Sequence, residues 1–141
     1  MSPRIVVDAS VAVKWLIAEE HSALAGALSD RQMSAPSLLL VECANALLRR
    51  AQAGDIPAPA VPGKVRALRL APVRLVPSER YLEGAIALAT ELRHSLCDCL
   101  YLALALDERA PLVTADGRFV EVVRRHRALS GAVALLAETA H

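Results

Sequence analysis

Each of four carboxylates in this chain follows or interrupts an apolar stretch: Asp8, Glu42, Asp98 and Asp116. A carboxylate is costly to bury without a partner, and several carboxylates in one place repel one another. Such a group is stable only when it is protonated or neutralised by a cation. Ligand sets made of oxygen alone favour Mg²⁺ or Mn²⁺, and a bound ion of this kind can activate water for phosphodiester hydrolysis.

Helix capping is the alternative role for three of these side chains. Asp8 directly follows "IVV" and Asp116 follows "LVTA", and an Asp after a strand often caps the next helix. Asp98 lies three residues after Ser95, which is the spacing of a capping box. The segment after Asp98 is apolar on every side until Asp107, so this helix should be buried and should begin near the core. Taken singly, both roles stay open at these positions.

Glu42 lies in a helical stretch, "SLLLVECANALLRR". At about 100° per residue it shares a polar stripe with Asn45 and Arg49, whereas Cys43 and Leu47 fall on the opposite face. A solvated stripe of an amphipathic helix is the ordinary explanation. The presence of four isolated carboxylates, none of them in a charge run, favours a shared site instead.

The apolar segments predict short strands that alternate with helices. Strands are predicted at 4–7, 32–35, 73–76, 111–115 and 131–137, and helices near 10–20, 21–30, 37–52, 64–70, 79–93 (capped by Ser78) and 95–108. This alternation is typical of the α/β class with a mainly parallel sheet of four to five short strands, covered by helices on both faces. Asp8 and Asp116 would then emerge at the carboxyl ends of strands, where open α/β sheets bind ligands.

Composition limits the function classes. Hydrophobic residues make up 55% of the 141 residues and only four are aromatic, which predicts an aliphatic core in a single domain, 1–141. The net charge of +1 gives no sign of a strongly polyanion-coating protein, although the chain outside the four carboxylates is Arg-rich. Three cysteines give no disulfide framework, and no stretch is long and apolar enough for a signal region or a membrane span. We therefore expect a cytoplasmic protein.

Four blocks of the sequence resemble those of PIN-domain ribonucleases, and most of all the VapC toxins of VapBC toxin–antitoxin pairs. The blocks are "VVDASVAVKWL", "APSLLLVECANALLR", "SLCDCLYLALAL" and "PLVTADGRF". The resemblance covers nearly the whole chain, and the acidic positions occur in the family's order with similar spacing. It implies a three-layer α/β/α sandwich, Mg²⁺- or Mn²⁺-dependent cleavage of RNA, and a homodimer. It also implies a cognate VapB-like antitoxin whose C-terminal segment wraps the toxin near its site.

The resemblance also implies roles for individual residues. Carried over by position, the metal-binding and catalytic residues are Asp8, Glu42, Asp98 and Asp116. Supporting positions are the hydroxyls beside the first and last of these and an amide one helical turn after the Glu, namely Ser10, Thr114 and Asn45.

Three other functions stay open. The "CDC" motif at 97–99, with His94 and Cys43, can hold a soft metal, although no second pair completes a zinc knuckle. Asp8 can be the nucleophile of an aspartyl-phosphate-type phosphohydrolase, although Ser10 stands where the haloacid-dehalogenase type has a second Asp. The third is an inactive PIN-like module that only binds a partner.

Overall fold

The computed structural model describes residues 3–139. Within that range five parallel strands form one sheet in the order β3-β2-β1-β4-β5. The strands are β1 (Arg4–Val7), β2 (Gln32–Pro36), β3 (Val73–Val76), β4 (Leu112–Thr114) and β5 (Val133–Leu135). The predicted α/β class and its mainly parallel sheet are confirmed, and in the described residues every strand pairing is parallel.

Helices connect the strands and cover the sheet. They are α1 (Ala9–Leu16), α2 (Ser22–Gly26), α3 (Leu38–Gln52), α4 (Val61–Arg69), α5 (Leu82–Leu92), α6 (Leu96–Glu108) and α7 (Gly117–Arg124). Helices α1, α3 and α4 pack against one another, whereas α5 packs on α6, which lies across β1, β2 and β4. This is the α/β/α sandwich that the resemblance implies. No helix in the described part of the chain is long and apolar enough to cross a membrane.

Helix α6 forms the centre of the core. All seven residues of the segment 99–105 are buried, which confirms the prediction from its uninterrupted apolar sequence. A helix that is apolar all round must be covered on every side, here by the sheet and by α5. The start of α6 is therefore held in a fixed position relative to the strands.

The predicted role of Ser78 as the cap of its own helix is wrong. The chain forms a 3₁₀ turn at Ser78–Tyr81 before α5 begins, and the Ser78 hydroxyl instead accepts a 2.8 Å hydrogen bond from Leu38 N at the start of α3. The cause is the register of β2 against β3, which places Pro36 opposite Val76 and so brings the two strand ends together. The last strand is also shorter than predicted, with 3₁₀ turns on both sides of β5.

Candidate active site

Asp8 lies at the centre of the sheet's carboxyl edge. It follows β1, whose Val7 pairs with Val113 of β4, so the neighbouring strand ends beside it at Thr114. Its side chain is only 7% exposed. Oδ1 accepts a 2.5 Å hydrogen bond from Ser10 Oγ and a 3.3 Å bond from Val11 N in the first turn of α1. The capping role predicted for Asp8 is therefore real, and the same carboxylate is buried at a ligand-binding edge.

Two hydroxyls connect the first and last acidic positions. Ser10 Oγ accepts a 2.9 Å hydrogen bond from Ala115 N and lies 3.3 Å from Thr114 Oγ1. Thr114 Oγ1 in turn accepts a 3.1 Å bond from Asp116 N. Ser10 and Thr114 thus tie the β1–α1 junction to the β4–α7 junction, and this linkage fixes the backbone on both sides of the edge.

Asp116 occupies the same edge but differs from the other carboxylates in its surroundings. The residue is exposed, and its Oδ1 accepts a 3.2 Å hydrogen bond from Phe119 N as the N-cap of α7. Its capping role is therefore present in the structure. Its link to Asp8 runs through the two hydroxyls rather than through direct contact.

Glu42 is not part of a merely solvated stripe. It is half-buried, and its Oε1 accepts a 2.6 Å hydrogen bond from the hydroxyl of Tyr101 on α6. Asn45 and Arg49, which continue the same helical stripe, are exposed and line a groove with Glu42 and Ser10. The stripe thus runs from a buried acidic end to an exposed basic end.

Asp98 lies in the first turn of α6, and the capping of that helix is done by Ser95. The Ser95 hydroxyl accepts a 3.3 Å hydrogen bond from Asp98 N. The Asp98 carboxylate does not return to the Ser95 backbone as a capping box requires, because its Oδ2 lies 2.7 Å from His94 Nε2. The carboxylate is therefore not committed to the helix end.

Three of the four carboxylates, those of Asp8, Glu42 and Asp98, interact electrostatically. Burial raises the pKa of Asp8 to about 6, the hydroxyls of Ser10 and Thr114 partly oppose that rise, and the charge of Asp98 adds to it. Burial likewise raises the pKa of Glu42, which the Tyr101 hydrogen bond lowers and the charge of Asp98 raises. The negative charge of Asp98 thus acts on both Asp8 and Glu42.

The donor set fits a hard divalent cation. The carboxylates of Asp8, Glu42 and Asp98 supply only oxygen, and their mutual repulsion is relieved by positive charge. Among residues 3–139, no group of three or more His, Cys, Asp or Glu side chains is arranged to hold a metal ion as it stands, so the fit rests on the chemistry of the oxygens.

The cysteines do not form a soft-metal or redox site. Cys43 and Cys99 are buried and Cys97 is exposed, so the three thiols have separate surroundings. Burial, with a further contribution from nearby carboxylates, raises the pKa of Cys43 to about 12 and that of Cys99 to about 11. In the absence of metal these two thiols stay protonated at neutral pH, whereas nucleophilic and redox chemistry need the thiolate.

An open groove of about 400 Å³ leads away from the acidic edge. Its wall near the edge is Ser10, Glu42 and Ala115, and its far end carries Asn45 and Arg49. On one side Lys14 pairs with Glu19 at 3.1 Å. A second ion pair, between Arg50 and Glu19 at 2.5 Å, consolidates that wall.

Sequence reasoning missed the partners of two site carboxylates. Tyr101 was overlooked because it lies in the apolar run of α6, where an aromatic residue is ordinarily core. His94 was considered only as a soft-metal ligand, and it precedes the Ser95 cap, so the spacing rule for side chains on one helix face does not reach it. Neither the contact of His94 with Asp98 nor that of Tyr101 with α3 follows from local sequence.

Comparison with known proteins identifies the family. A family model described as the PIN domain matches residues 5–125. The chain belongs to the PIN domain family. PIN domains are typically metal-dependent nucleases, and the matched range contains all four acidic positions and their supporting residues.

One solved structure reproduces the fold. It is the crystal structure of PAE2754 from Pyrobaculum aerophilum, with a TM-score of 0.69 and 20% sequence identity over 96% of this chain and 85% of that one. At this identity the likeness concerns the fold alone. The chain matches no functionally curated protein.

Proposed function

We propose that this PIN domain is a Mg²⁺- or Mn²⁺-dependent endoribonuclease whose catalytic and metal-binding residues are Asp8, Glu42, Asp98 and Asp116. The observation that carries the proposal is the buried carboxylate of Asp8 at the carboxyl edge of the sheet, in a chain whose PIN-domain match spans all four acidic positions. Without a cation, the charge of Asp98 opposes ionisation of Asp8 and of Glu42.

The chain's own residues position the reacting groups. Ser10 and the amide of Val11 hold one oxygen of Asp8, and Tyr101 holds one oxygen of Glu42, so each carboxylate has a fixed orientation. A divalent ion held by these oxygens would activate water, orient the phosphate and stabilise the leaving oxygen. The exposed carboxylate of Asp116 would meet the substrate side of the same edge.

The groove supports an extended phosphodiester as the substrate. The acidic edge attracts metal and repels a phosphate backbone, so binding of RNA needs positive charge nearby. Arg49 supplies it at the exposed end of the stripe, seven residues beyond Glu42 on α3, and Asn45 offers an amide between them. One face of α3 therefore combines the acidic edge with a cation and a hydrogen-bonding group for the backbone.

The toxin assignment deepens this proposal. We infer that the protein is the VapC-type toxin of a type II toxin–antitoxin pair, a cytoplasmic homodimer inhibited by a cognate VapB-like antitoxin. The support is the resemblance of the four sequence blocks to VapC toxins. Co-expression with the neighbouring open reading frame tests it, since a small protein should co-purify and suppress both growth inhibition and cleavage. A chain that inhibits growth with no neutralising neighbour would contradict the toxin assignment and leave the nuclease proposal standing.

Cleavage of RNA with and without metal tests the nuclease. The purified chain should lose activity in a chelator and regain it when either Mg²⁺ or Mn²⁺ is restored. Cleavage that persists after exhaustive chelation would contradict the metal mechanism. Absence of cleavage with metal present would favour an inactive binding module. A trapped phosphoryl-enzyme would favour the aspartyl-phosphate alternative, which the structure makes less suitable because Asp8 is buried and its Oδ1 already accepts two hydrogen bonds.

A further inference from the structure

His94 is held in one position by three separate features. Its backbone N–H donates a 3.2 Å hydrogen bond to Ala89 O at the end of α5, next to Arg93, which adopts a left-handed conformation with φ of 53°. Ser95, the following residue, caps α6. The ring of His94 stacks on Phe119 of α7, with ring centroids 4.5 Å apart and planes 26° from parallel. The imidazole is thus anchored by the backbone and by a fully buried aromatic side chain.

The contact of this ring with Asp98 has a defined direction. His94 Nε2 lies 2.7 Å from Asp98 Oδ2, and an ionised carboxylate can only accept hydrogen bonds. The imidazole must therefore donate from Nε2. No hydrogen bond engages the other oxygen, Oδ1, among residues 3–139, so the contact fixes the carboxylate through one oxygen and leaves the second for a ligand.

We propose that His94 is a positioning residue for Asp98: its Nε2–H orients the carboxylate so that Oδ1 is presented to a divalent cation at the sheet edge. The inference rests on the proposed metal-dependent function. Residues that hydrogen-bond a ligating carboxylate commonly change metal affinity by about tenfold or more when they are removed. His94 is partly buried and stacked, so it acts through Asp98 and does not need to touch the substrate.

Two substitutions separate the hydrogen bond from the ring. In His94→Gln the side-chain amide nitrogen can take the position of Nε2, whereas in His94→Asn the shorter amide takes the position of Nδ1 and falls short of Asp98. Both variants are uncharged and both lose the stack on Phe119, so they differ mainly in the bond to Asp98. Mn²⁺ binding, followed by the loss of the free-ion electron paramagnetic resonance signal, should weaken about tenfold in His94→Asn. In His94→Gln it should stay within about threefold of the wild type.

The tautomer of His94 in the metal-free wild-type protein provides a second, independent test. Long-range ¹H–¹⁵N correlation at pH 8 should show His94 as the Nε2–H tautomer, and the Nδ1–H tautomer would overturn the proposal. Equal Mn²⁺ affinities in the two variants would also overturn it. Wild-type protein that binds Mn²⁺ without cleaving RNA would contradict the nuclease proposal and leave the role of His94 intact. Wild-type protein that binds no Mn²⁺ would overturn both.

Discussion

The hydroxyl of Tyr101 donates a 2.6 Å hydrogen bond to Glu42 Oε1 and so joins the buried helix α6 to the site-facing stripe of α3. Tyr101 is 1% exposed. Burial, together with the charge of Glu42, holds the pKa of the Tyr101 hydroxyl far above its usual range, so the group remains a donor at every working pH. Glu42 thus owes its orientation to a residue of the core.

Removing that hydroxyl should lower both stability and activity. In Tyr101→Phe the half-buried Glu42 loses a charge-assisted hydrogen bond, which should cost about 1–2 kcal/mol in the free energy of unfolding measured with urea. The matched control is Tyr81→Phe, whose hydroxyl donates a 2.7 Å bond to the exposed Asp107 and whose loss should cost about 0.5 kcal/mol or less. Equal losses of unfolding free energy in the two variants would show that the hydrogen bond to Glu42 stabilises the fold no more than an exposed one does.

The contribution of Asp8 to the stability of the metal-free protein should fall as the pH rises from about 4 to 6. The folded pKa of Asp8 is raised from its usual 3.8 to about 6, so its stabilising contribution is complete below pH 3.8 and is lost on passing pH 6. That difference corresponds to about 3 kcal/mol, and a rise in the pKa of Glu42 acts in the same direction. Saturating Mg²⁺ at pH 7 should restore part of the loss.

Asp8→Asn isolates this effect, because Asn keeps the cap on α1 but cannot ionise. Unfolding free energies are measured in chelator at pH 3.5 and at pH 7. Between these two pH values the stability of Asp8→Asn relative to the wild type should increase by up to about 3 kcal/mol. Asp116→Asn is the control for the substitution itself, since Asp116 is exposed and Asn also caps, and its unfolding free energy at pH 7 should stay close to that of the wild type. A wild-type advantage over Asp8→Asn at pH 7 would contradict the assignment.

Substitutions at the start of α6 should separate capping from catalysis. Ser95→Ala removes the cap and should lower stability by about 1 kcal/mol while RNA cleavage persists. Asp98→Asn should leave the metal-free fold at least as stable, since it removes a charge that acts on Asp8 and Glu42, yet it should abolish cleavage. The Mg²⁺-induced rise in melting temperature should be smaller in Asp98→Asn than in Ser95→Ala. Wild-type activity in a folded Asp98→Asn variant would remove Asp98 from the site.

The sequence was sufficient to predict most of the elements, although not α7, and insufficient to predict which elements lie next to one another. The apolar run in α6 and the β-branched run of β1 were enough to predict a buried helix and a buried strand, because burial requires apolar side chains on every face. Alternation of strands and helices does not say which strands pair. The position of Ser78 beside α3 depends on the pairing of β2 with β3, so local reasoning assigned its hydroxyl to the wrong helix.

The acidic positions were likewise easier to predict than their surroundings. An isolated carboxylate in an apolar segment can be recognised from the sequence alone, which is why these four positions could be proposed as candidates before the structure was known. The capping and site roles of Asp8 are not alternatives, since one buried side chain performs the first and is placed for the second. The pairing of Glu42 with Tyr101 joins residues 59 positions apart, and only the tertiary fold, which brings this one side chain of α6 to α3, creates it.

Arg49 should contribute to RNA binding through its charge alone. It is exposed at the far end of the groove, and no ion pair engages it within residues 3–139. Loss of one phosphate contact to single-stranded RNA lowers the slope of log affinity against log salt by about 0.7, so Arg49→Ala should bind more weakly at low salt and converge with the wild type as salt rises. Binding is measured by fluorescence anisotropy with chelator present, which prevents cleavage.

Arg4→Ala is the control, because Arg4 begins β1 at the opposite edge of the sheet and its removal should leave the slope unchanged. An unchanged slope in Arg49→Ala, or an equal change in Arg4→Ala, would place the RNA backbone elsewhere.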